Sequence, residues 1–222
     1  MAVPFVVVSD FDGTITNEDL VVALTTEVNP DNSAVVDRIQ RRDIDLKTGL
    51  DFLFGTLKSA NRSQYEAYLR ETATFRNGFH RFRRLLFESQ IPFYIVSNGL
   101  DFMLDAVLGD SVLDHQRIVN QARFDEETIR ITWHYPCQPP CPGGCGLCKH
   151  AVVEELRRRY LAPMIFIGDG VTDYNGALHA DRVFARSRLA AYLQEAGKSF
   201  TPFESFDDVV AELFVLAKGS PS

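Results

Sequence analysis

Near the amino terminus, a run of apolar and mostly β-branched residues, Val3–Ser9, leads directly into the sequence Asp-Phe-Asp-Gly-Thr at positions 10–14. A strand in which apolar and polar residues do not alternate is typical of a sheet that is covered on both faces. The run therefore predicts a buried parallel strand whose carboxyl end carries two acidic residues.

Two later runs have the same design. Residues 91–96 lead into Ser-Asn-Gly at 97–99, and residues 164–167 lead into Gly-Asp-Gly at 168–170. Helical periodicity resumes after each polar cluster. This repeated order of strand, polar loop and helix predicts an α/β fold with a Rossmann-like open parallel sheet, whose chemistry lies at the carboxyl ends of the strands.

A long segment with little strand character separates the first two runs. Four stretches within it have helical spacing of apolar residues: 17–28, 33–42, 46–57 and 63–74. Because this insertion is longer than an ordinary crossover, we expect residues 16–76 to form a helical-bundle cap. Residues 1–15 and 77–222 then form the α/β catalytic core. The alternative is that these helices simply flank the sheet.

The rest of the chain continues the α/β pattern. Residues 116–124 and 128–134 alternate and predict a hairpin. Residues 149–160 predict a helix with acidic residues early and three arginines late, which suits the helix dipole. A short strand is expected at 182–185 and a terminal helix from residue 206.

Charge and hydropathy exclude several functional classes. The formal net charge is −7, which disfavours nucleic acid as a partner because such binding depends largely on neutralising phosphates. No apolar run approaches the roughly 18–20 residues that span a bilayer, and the first residues lack a basic leader. We therefore expect a cytoplasmic protein that binds neither nucleic acid nor a membrane.

Acidic residues follow two of the expected buried strands. Asp10 and Asp12 follow the first, and Asp169 and Asp173 follow the run at 164–167. Carboxylates from two adjacent strand ends supply the hard oxygen ligands that Mg²⁺ prefers. The alternative is a purely structural role, in which these residues only cap helices or form turns.

The combined order of motifs resembles the haloacid dehalogenase superfamily of phosphohydrolases. The order is a strand ending in Asp-Phe-Asp-Gly-Thr, a strand ending in Ser-Asn, a lone Lys149, and a strand ending in Gly-Asp-Gly-Val-Thr-Asp. The resemblance covers nearly the whole chain, with residues 16–76 in the position of the family's helical cap. It implies the haloacid dehalogenase fold and a Mg²⁺-dependent phosphatase.

The resemblance also implies a role for each motif residue. Asp10 would attack phosphorus and form an aspartyl phosphate, and Asp12 would act as general acid and then as general base. Ser97 and the backbone of Asn98 would bind phosphate, together with Lys149, whose charge offsets the nucleophile and the substrate. The implied ligands of Mg²⁺ are the Asp10 side chain, the Asp12 backbone carbonyl, Asp169 and Asp173.

Four cysteines lie between the expected hairpin and the helix at 149–160. Cys137, Cys141, Cys145 and Cys148 are separated by three, three and two residues, with glycines and prolines among them. Such a cluster in a reducing compartment favours metal binding over disulfides, and four thiolates can enclose a structural Zn²⁺. Free or redox-active thiols are the alternative, because the spacing is not that of a standard zinc ribbon.

Two features, the cysteine loop and the Ile-Pro-Phe-Tyr sequence at 91–94, narrow the resemblance to one group within the superfamily. Within the phosphoserine-phosphatase-like branch, they resemble the methionine-salvage phosphatases, which implies 2-hydroxy-3-keto-5-methylthiopentenyl-1-phosphate as the favoured substrate. Asn98 departs from that subgroup, where glycine is common. The alternatives are a phosphoserine phosphatase, another small-metabolite phosphatase, a phosphomutase, or a binding module without catalytic activity.

The cap is expected to read the part of the substrate beyond its phosphate. Phe52 and Phe54 are candidates for an apolar pocket, although aromatic residues at helical spacing more often form the core of a bundle. Glu18 is a candidate for contacting a cationic group, as the matching glutamate does in phosphoserine phosphatases, or for stabilising its own helix. A small phosphorylated metabolite is the expected partner, and either a monomer or a homodimer is compatible with the sequence.

Overall fold

The computed structural model describes residues 3–109, 116–139, 141 and 143–219, with side chains described as far as residue 213. Its centre is a seven-stranded sheet in the order β4-β3-β2-β1-β5-β6-β7. All neighbouring strands are parallel except β3 and β4, which form an antiparallel hairpin. The predicted α/β class and the open parallel sheet are confirmed.

The elements follow one another as strands that alternate with helices. The strands are β1 Val6–Ser9, β2 Phe93–Leu100, β3 Arg117–Arg123, β4 Arg130–Thr132, β5 Met164–Gly168, β6 Arg182–Ala185 and β7 Thr201–Pro202. The helices are α1 Leu20–Val28, α2 Asn32–Gln40, α3 Leu46–Gly55, α4 Arg62–Thr72, α5 Phe79–Glu88, α6 Asp101–Leu108, α7 Lys149–Tyr160, α8 Tyr174–Leu178, α9 Ser187–Glu195 and α10 Phe206–Gly219.

The central strands are buried on both faces, as the unbroken apolar runs predict. On β1, Val7 packs into one apolar cluster together with helices α5 and α10, whereas Val6 and Val8 pack into a second cluster with α7, α8 and α9. Successive side chains of a strand point to opposite faces, so both sets must be apolar. This accounts for the absence of alternation in the sequence.

Five helices, α1–α5, lie between β1 and β2, and the first four form a helical insertion that is called the cap below. The two chain segments that connect them to the sheet run side by side, because Thr16 forms an antiparallel bridge with Phe75. The amide of Arg76 also donates to the carbonyl of Ile15 at 2.8 Å. The two chain segments at the ends of the helical insertion are therefore joined by main-chain hydrogen bonds.

Two details differ from the sequence-based expectations. Strand β2 continues through residues 97–100, with an irregular register against β3 between Val96 and Leu100, so the Ser-Asn-Gly cluster lies inside the strand rather than beyond it. Helix α1 begins at Leu20, because the side chain of Asp19 accepts the amide of Val22 and caps the helix. Within the described residues, no helix is both long and apolar enough to cross a bilayer.

Candidate active site

The carboxyl ends of β1, β2 and β5 lie next to one another at the centre of the sheet. The chain extends the sheet from β1 to β2 on one side and later from β1 to β5 on the other, so β1 lies at the switch point where ligands of open α/β sheets bind. Asp10 and Asp169 directly follow β1 and β5, and Ser97 lies within β2 where its register against β3 becomes irregular. The topology thus brings together residues that are far apart in the sequence.

Lys149 and two carboxylates form a buried ion triad at this point. The Nζ atom of Lys149 lies 2.5 Å from Oδ1 of Asp10 and 2.6 Å from Oδ1 of Asp173. All three side chains are buried. A lysine at a helix N-terminus interacts unfavourably with the helix dipole. The two carboxylates in contact with Lys149 offset this effect in the first turn of α7.

Asp173 is held on both of its oxygens. Its Oδ2 accepts the backbone amides of Asp169 at 3.0 Å and Gly170 at 2.9 Å, while Oδ1 accepts from Lys149. Asp169 is in turn positioned by Thr14, whose hydroxyl donates to Oδ1 at 2.8 Å. Asp173 therefore anchors both the loop after β5 and the side chain of Lys149.

The arrangement fits a divalent cation. Carboxylate oxygens of Asp10, Asp169 and Asp173 lie within 4.8 Å of one another, and such hard oxygen ligands suit Mg²⁺. Lys149 is the lone cation in contact with this group among the described side chains. Three carboxylates facing one ammonium leave an excess of negative charge in a poorly solvated place, which a bound divalent cation would offset.

Burial and this excess of charge raise the pKa of Asp10 and of Asp169. Burial, followed by repulsion from Asp173, raises the pKa of Asp10 well above its usual range despite the attraction of Lys149. Burial and Asp173 also raise the pKa of Asp169 to about 6. For Lys149, burial favours the neutral amine, but Asp10 and Asp173 outweigh it and raise its pKa.

Asp12 lies beside these carboxylates and has a different set of hydrogen-bond partners. Its Oδ1 accepts the amide of Leu20 at 3.1 Å, and its Oδ2 accepts the hydroxyl of Ser97 at 3.0 Å. Burial and the nearby Asp19 raise the pKa of Asp12 to about 7. A carboxyl group that titrates near neutral pH is able both to give and to take a proton.

Asn98 connects β2 with the cysteine loop. Its Oδ1 accepts the amide of Leu147 at 2.8 Å, which fixes the orientation of the side-chain amide. Its Nδ2 is buried without a hydrogen-bond partner, and the residue lines the cavity described next. The Asn side chain therefore supports the loop that precedes Lys149, a contact that glycine at this position could not make.

A cavity of about 310 Å³ lies over the carboxylates. Its floor includes Asp10, Asp12 and Asp169, and Ser97 and Asn98 lie at its side. The cap supplies an apolar wall from three helices, formed by Val21, Val36, Ile39, Leu46, Leu50 and Leu53. The cavity thus combines a charged floor with an apolar roof.

The structure does not bring the expected specificity residues to this cavity. Both carboxylate oxygens of Glu18 are occupied by Thr74, through its amide at 2.9 Å and its hydroxyl at 2.8 Å. The glutamate therefore ties the two connections of the cap together. Phe54 is fully buried in the core, and Phe52 is 56% exposed to solvent. None of the three lines the cavity.

Asp19 lies at the cavity instead of Glu18, and the sequence reasoning missed it. The sequence did contain a signal for its position, since an aspartate directly before an apolar helical run is a typical N-cap. On α3, Leu50 and Leu53 line the cavity in place of the two phenylalanines.

Arg76 is a second residue that the sequence reasoning missed. Its guanidinium is 7% exposed and donates to the backbone carbonyls of Gly13 at 2.7 Å, Thr14 at 2.8 Å and Thr16 at 3.3 Å. It thereby holds the loop that follows Asp12. No sequence pattern indicates this role, because the acceptors are main-chain atoms about sixty positions away.

The cysteines form a cluster beside α7. The Sγ atoms of Cys137, Cys141, Cys145 and Cys148 all lie within 4.8 Å of one another, and none is in a disulfide. Cys148 is the N-cap residue of α7 and directly precedes Lys149. Hydrogen bonds from the thiol of Cys145 and from the amide of Ala151 lower the pKa of Cys148 to about 5, against the opposing effect of burial.

Comparison with known proteins agrees with the geometry. A family model for haloacid dehalogenase-like hydrolases matches residues 7–177. A curated relative from Bacillus cereus, named 2-hydroxy-3-keto-5-methylthiopentenyl-1-phosphate phosphatase, is 37% identical over 205 residues, which cover 92% of this chain and 93% of the relative. A relative of the same name from Bacillus thuringiensis is 36% identical over the same length and with the same coverage.

The fold is also similar to that of solved phosphatases. A structure of phosphoserine phosphatase with a phospho-aspartyl intermediate analogue has a TM-score of 0.72 and 14% identity, with 96% of this chain and 99% of that chain covered. The resemblance expected from the order of the sequence motifs is confirmed. Because the family model extends over most of the chain and includes each strand end that builds the carboxylate site, the chain belongs to the haloacid dehalogenase-like hydrolase family.

Proposed function

We propose that the protein is a Mg²⁺-dependent phosphomonoesterase that acts on a small phosphorylated metabolite through an aspartyl phosphate on Asp10. Family membership and the phosphatase names of its relatives make it a phosphoric monoester hydrolase. The observation that carries the proposal is the convergence of Asp169, Asp173 and Lys149 on Asp10, which lines the floor of the cavity together with Asp169. Phosphoryl transfer depends on positioning and charge neutralisation, and these residues supply both.

Each residue has a chemical task in this proposal. A carboxylate oxygen of Asp10 attacks phosphorus, and the bond to the leaving oxygen breaks as the aspartyl phosphate forms. Asp12 protonates the leaving oxygen and later takes a proton from the water that hydrolyses the aspartyl phosphate. Its pKa of about 7 suits both tasks at neutral pH. Lys149 stabilises the negative charge on Asp10 and on the phosphate.

The carboxylates of Asp10, Asp169 and Asp173 are the candidates for holding Mg²⁺, with the backbone carbonyl of Asp12 implied by the family resemblance. When bound, Mg²⁺ supplies positive charge to the phosphate oxygens and so lowers the repulsion between phosphate and nucleophile. Ser97 and Asn98 complete the phosphate site in this proposal, since both line the cavity beside Asp12.

The favoured substrate is 2-hydroxy-3-keto-5-methylthiopentenyl-1-phosphate. The names of the relatives support it, and so does the cavity, because an apolar methylthio tail fits the wall formed by Ile39, Leu50 and Leu53. Burying a chain of this size against an apolar wall contributes about 0.8 kcal/mol per methylene. A cytoplasmic location belongs to the same proposal, since the four free thiols suit a reducing compartment.

Phosphoserine is a second candidate substrate because of Asp19. Its carboxylate lies at the cavity, where it is placed to meet an ammonium group. The wall of Ile39, Leu50 and Leu53 offers no hydrogen bond to the carboxylate of a serine, whereas Gln40 and Arg188, which also line the cavity, carry donors for it. Asp19 therefore supports phosphoserine, while the cap wall supports the methylthio substrate.

A substrate panel tests the proposal. Release of inorganic phosphate is measured with Mg²⁺ for the methylthiopentenyl phosphate, phosphoserine and p-nitrophenyl phosphate, in wild type and in Asp10→Asn. We expect the methylthiopentenyl phosphate to have the highest kcat/KM and the variant to lose phosphate release from all three substrates. A higher kcat/KM for phosphoserine refutes the favoured substrate.

The same panel tests the other functional classes. Substrate consumption with formation of an isomeric phosphate but no free phosphate identifies a phosphomutase, and binding without turnover identifies a module without catalytic activity. Phosphate release that persists in Asp10→Asn contradicts the role of the nucleophile. The molar mass measured by light scattering after size-exclusion chromatography distinguishes the monomer from the homodimer.

A further inference from the structure

The cysteine loop has no task in the chemistry proposed above, although it directly precedes Lys149. Its four Sγ atoms lie within 4.8 Å of one another, and those of Cys141 and Cys145 are 3.4 Å apart. We propose that Cys137, Cys141, Cys145 and Cys148 form a tetrathiolate site for one zinc ion, which fixes this loop between the cap and the catalytic lysine.

The distances fit a single ion. With zinc–sulfur bonds of about 2.3 Å, a tetrahedron separates its sulfur atoms by about 3.8 Å. The Sγ atoms lie within 4.8 Å of one another, so each pair needs to move closer by about 1 Å at most to reach the tetrahedral separation. An iron–sulfur cluster would place iron and sulfide atoms between the thiolates and needs a wider cage. Zinc binding releases the thiol protons to solvent, and no oxidant or reductant is required.

The backbone of the cysteine loop has the tight turns that are needed to surround a single ion. Gly143, Gly144 and Gly146 have φ angles of 102°, 75° and 72°, in the left-handed region that favours glycine. A Cβ at Gly146 would lie 2.6 Å from the ring of Trp133 and 2.9 Å from Oδ1 of Asn98. The loop therefore packs tightly against the core while it turns back on itself, which brings the spaced cysteines together.

The loop contacts three functional parts of the molecule. The carbonyl of Gly144 accepts the amide of Lys47 at 3.0 Å, at the start of cap helix α3. The amide of Leu147 donates to Asn98, and Cys148 is the N-cap residue before Lys149. An ion that fixes the loop would therefore fix the cap contact, the Asn98 side chain and the first turn of α7. The consequence for activity rests on the proposed function, whereas the metal site does not.

Metal content is the first test. Full-length wild type, purified under reducing conditions without chelator, is expected to contain about one zinc per chain by mass spectrometry. Cys141→Ser and Cys145→Ser are expected to retain less than about a tenth of it. Gln138→Ala, an exposed position in the same loop, and Asp169→Asn, in the carboxylate site, are expected to retain the full content.

Zinc release from wild type keeps the test independent of variants that fail to fold. The chain has four cysteines, so an organomercurial that titrates thiols is expected to release all zinc to a chromogenic chelator by four equivalents. Cobalt added to the zinc-free protein is expected to produce a thiolate-to-cobalt charge-transfer band. Reduced wild type that holds no zinc, and that shows no such band with cobalt, overturns the proposal.

Activity tests the positioning role separately. Zinc-depleted wild type at saturating Mg²⁺ is expected to lose about tenfold or more of kcat/KM with p-nitrophenyl phosphate, as for loss of an outer partner of a metal site, and to recover with zinc. Unchanged kcat/KM after verified zinc loss overturns the positioning of Lys149. If zinc-loaded wild type shows no turnover at all, the proposed function fails, while the zinc content still decides the metal site.

Discussion

Replacing Asp173 by asparagine tests whether this residue anchors Lys149 or binds the metal directly. Oδ1 of Asp173 accepts from Lys149 at 2.6 Å, and Oδ2 accepts the amides of Asp169 and Gly170. An asparagine has one acceptor oxygen, so its NH₂ group must face either the lysine ammonium or the two amides. The variant therefore places donors against donors in a fully buried position.

The cost follows from this geometry. Breaking a buried ion pair by removing one partner costs about 3–5 kcal/mol. Asp173 also repels Asp10, so relief of this repulsion offsets part of the loss, and we expect about 3 kcal/mol. For a chain of this size, each kcal/mol corresponds to about 2–4 °C in Tm, so Asp173→Asn is expected to melt about 6–12 °C lower. Because Lys149 loses one of its two anchors, kcat/KM is expected to fall by about 10–100-fold.

The assay compares three variants in thermal melts and in Mg²⁺ titrations of phosphate release. Asp169→Asn, which removes a proposed ligand of Mg²⁺, is expected to raise the Mg²⁺ concentration for half-maximal activity more than Asp173→Asn does. Glu66→Gln, which removes a partly exposed helical ion pair, is the control and is expected to change stability by less than about 0.5 kcal/mol. If Asp173→Asn keeps the wild-type Tm and raises the Mg²⁺ requirement as much as Asp169→Asn, the anchoring role is wrong.

Three further predictions concern the same site. Gly13→Ala is expected to cost about 1–2 kcal/mol of stability and to raise the Mg²⁺ requirement, because Gly13 has a φ of 74° and its Cβ would lie 2.7 Å from Oδ2 of Asp169. Gly109→Ala is the matched control, with a φ of 53° and no atom within 4 Å. An equal Mg²⁺ requirement in both variants contradicts the contact with Asp169. Without Mg²⁺, the Tm is expected to fall as the pH rises through about 6 and about 7, the raised pKa values of Asp169 and Asp12. The folded state retains these protons to higher pH than the unfolded chain does, so its stability is full below the unfolded pKa values and decreases upward. Added Mg²⁺ is expected to restore more stability above this range than below it, and a Tm independent of pH in Mg²⁺-free melts argues against the charge excess. Arg76→Met is expected to lower the free energy of unfolding by at least about 2 kcal/mol in urea titrations, since several buried carbonyls after β1 lose their donor. A smaller change shows that water or neighbouring groups replace the guanidinium.

The sequence alone determined the features that depend on short stretches of chain. An unbroken β-branched run must be covered on both faces, so Val3–Ser9 predicted a central strand, and the run at 164–167 predicted its neighbour β5. The four helical stretches between β1 and β2 were equally legible, because a helix exposes its period within a dozen residues. The order of the acidic, serine and lysine motifs identified the family, because each motif is a short stretch that can be read from the sequence alone.

The tertiary structure decided which side chains face the cavity. Glu18 and Asp19 are adjacent and both acidic, but Thr74 across the cap connection holds the first, and the second lies at the cavity. On α3, the expected phenylalanines lie on faces turned to solvent and to the core, and Leu50 and Leu53 face the cavity. The direction of a helix face depends on its rotation against neighbouring elements, which local periodicity does not contain.

The partners of Lys149 also required the fold. Lys149 is the first residue of α7, where a cation opposes the helix dipole and is stabilised by an anionic neighbour. Asp10, from a strand end 139 positions away, and Asp173, from the loop after β5, became its partners only through the strand order of the sheet. Contacts between side chains so distant in the chain are set by how the sheet assembles, and the physical reason is that charge pairing acts through space rather than along the sequence.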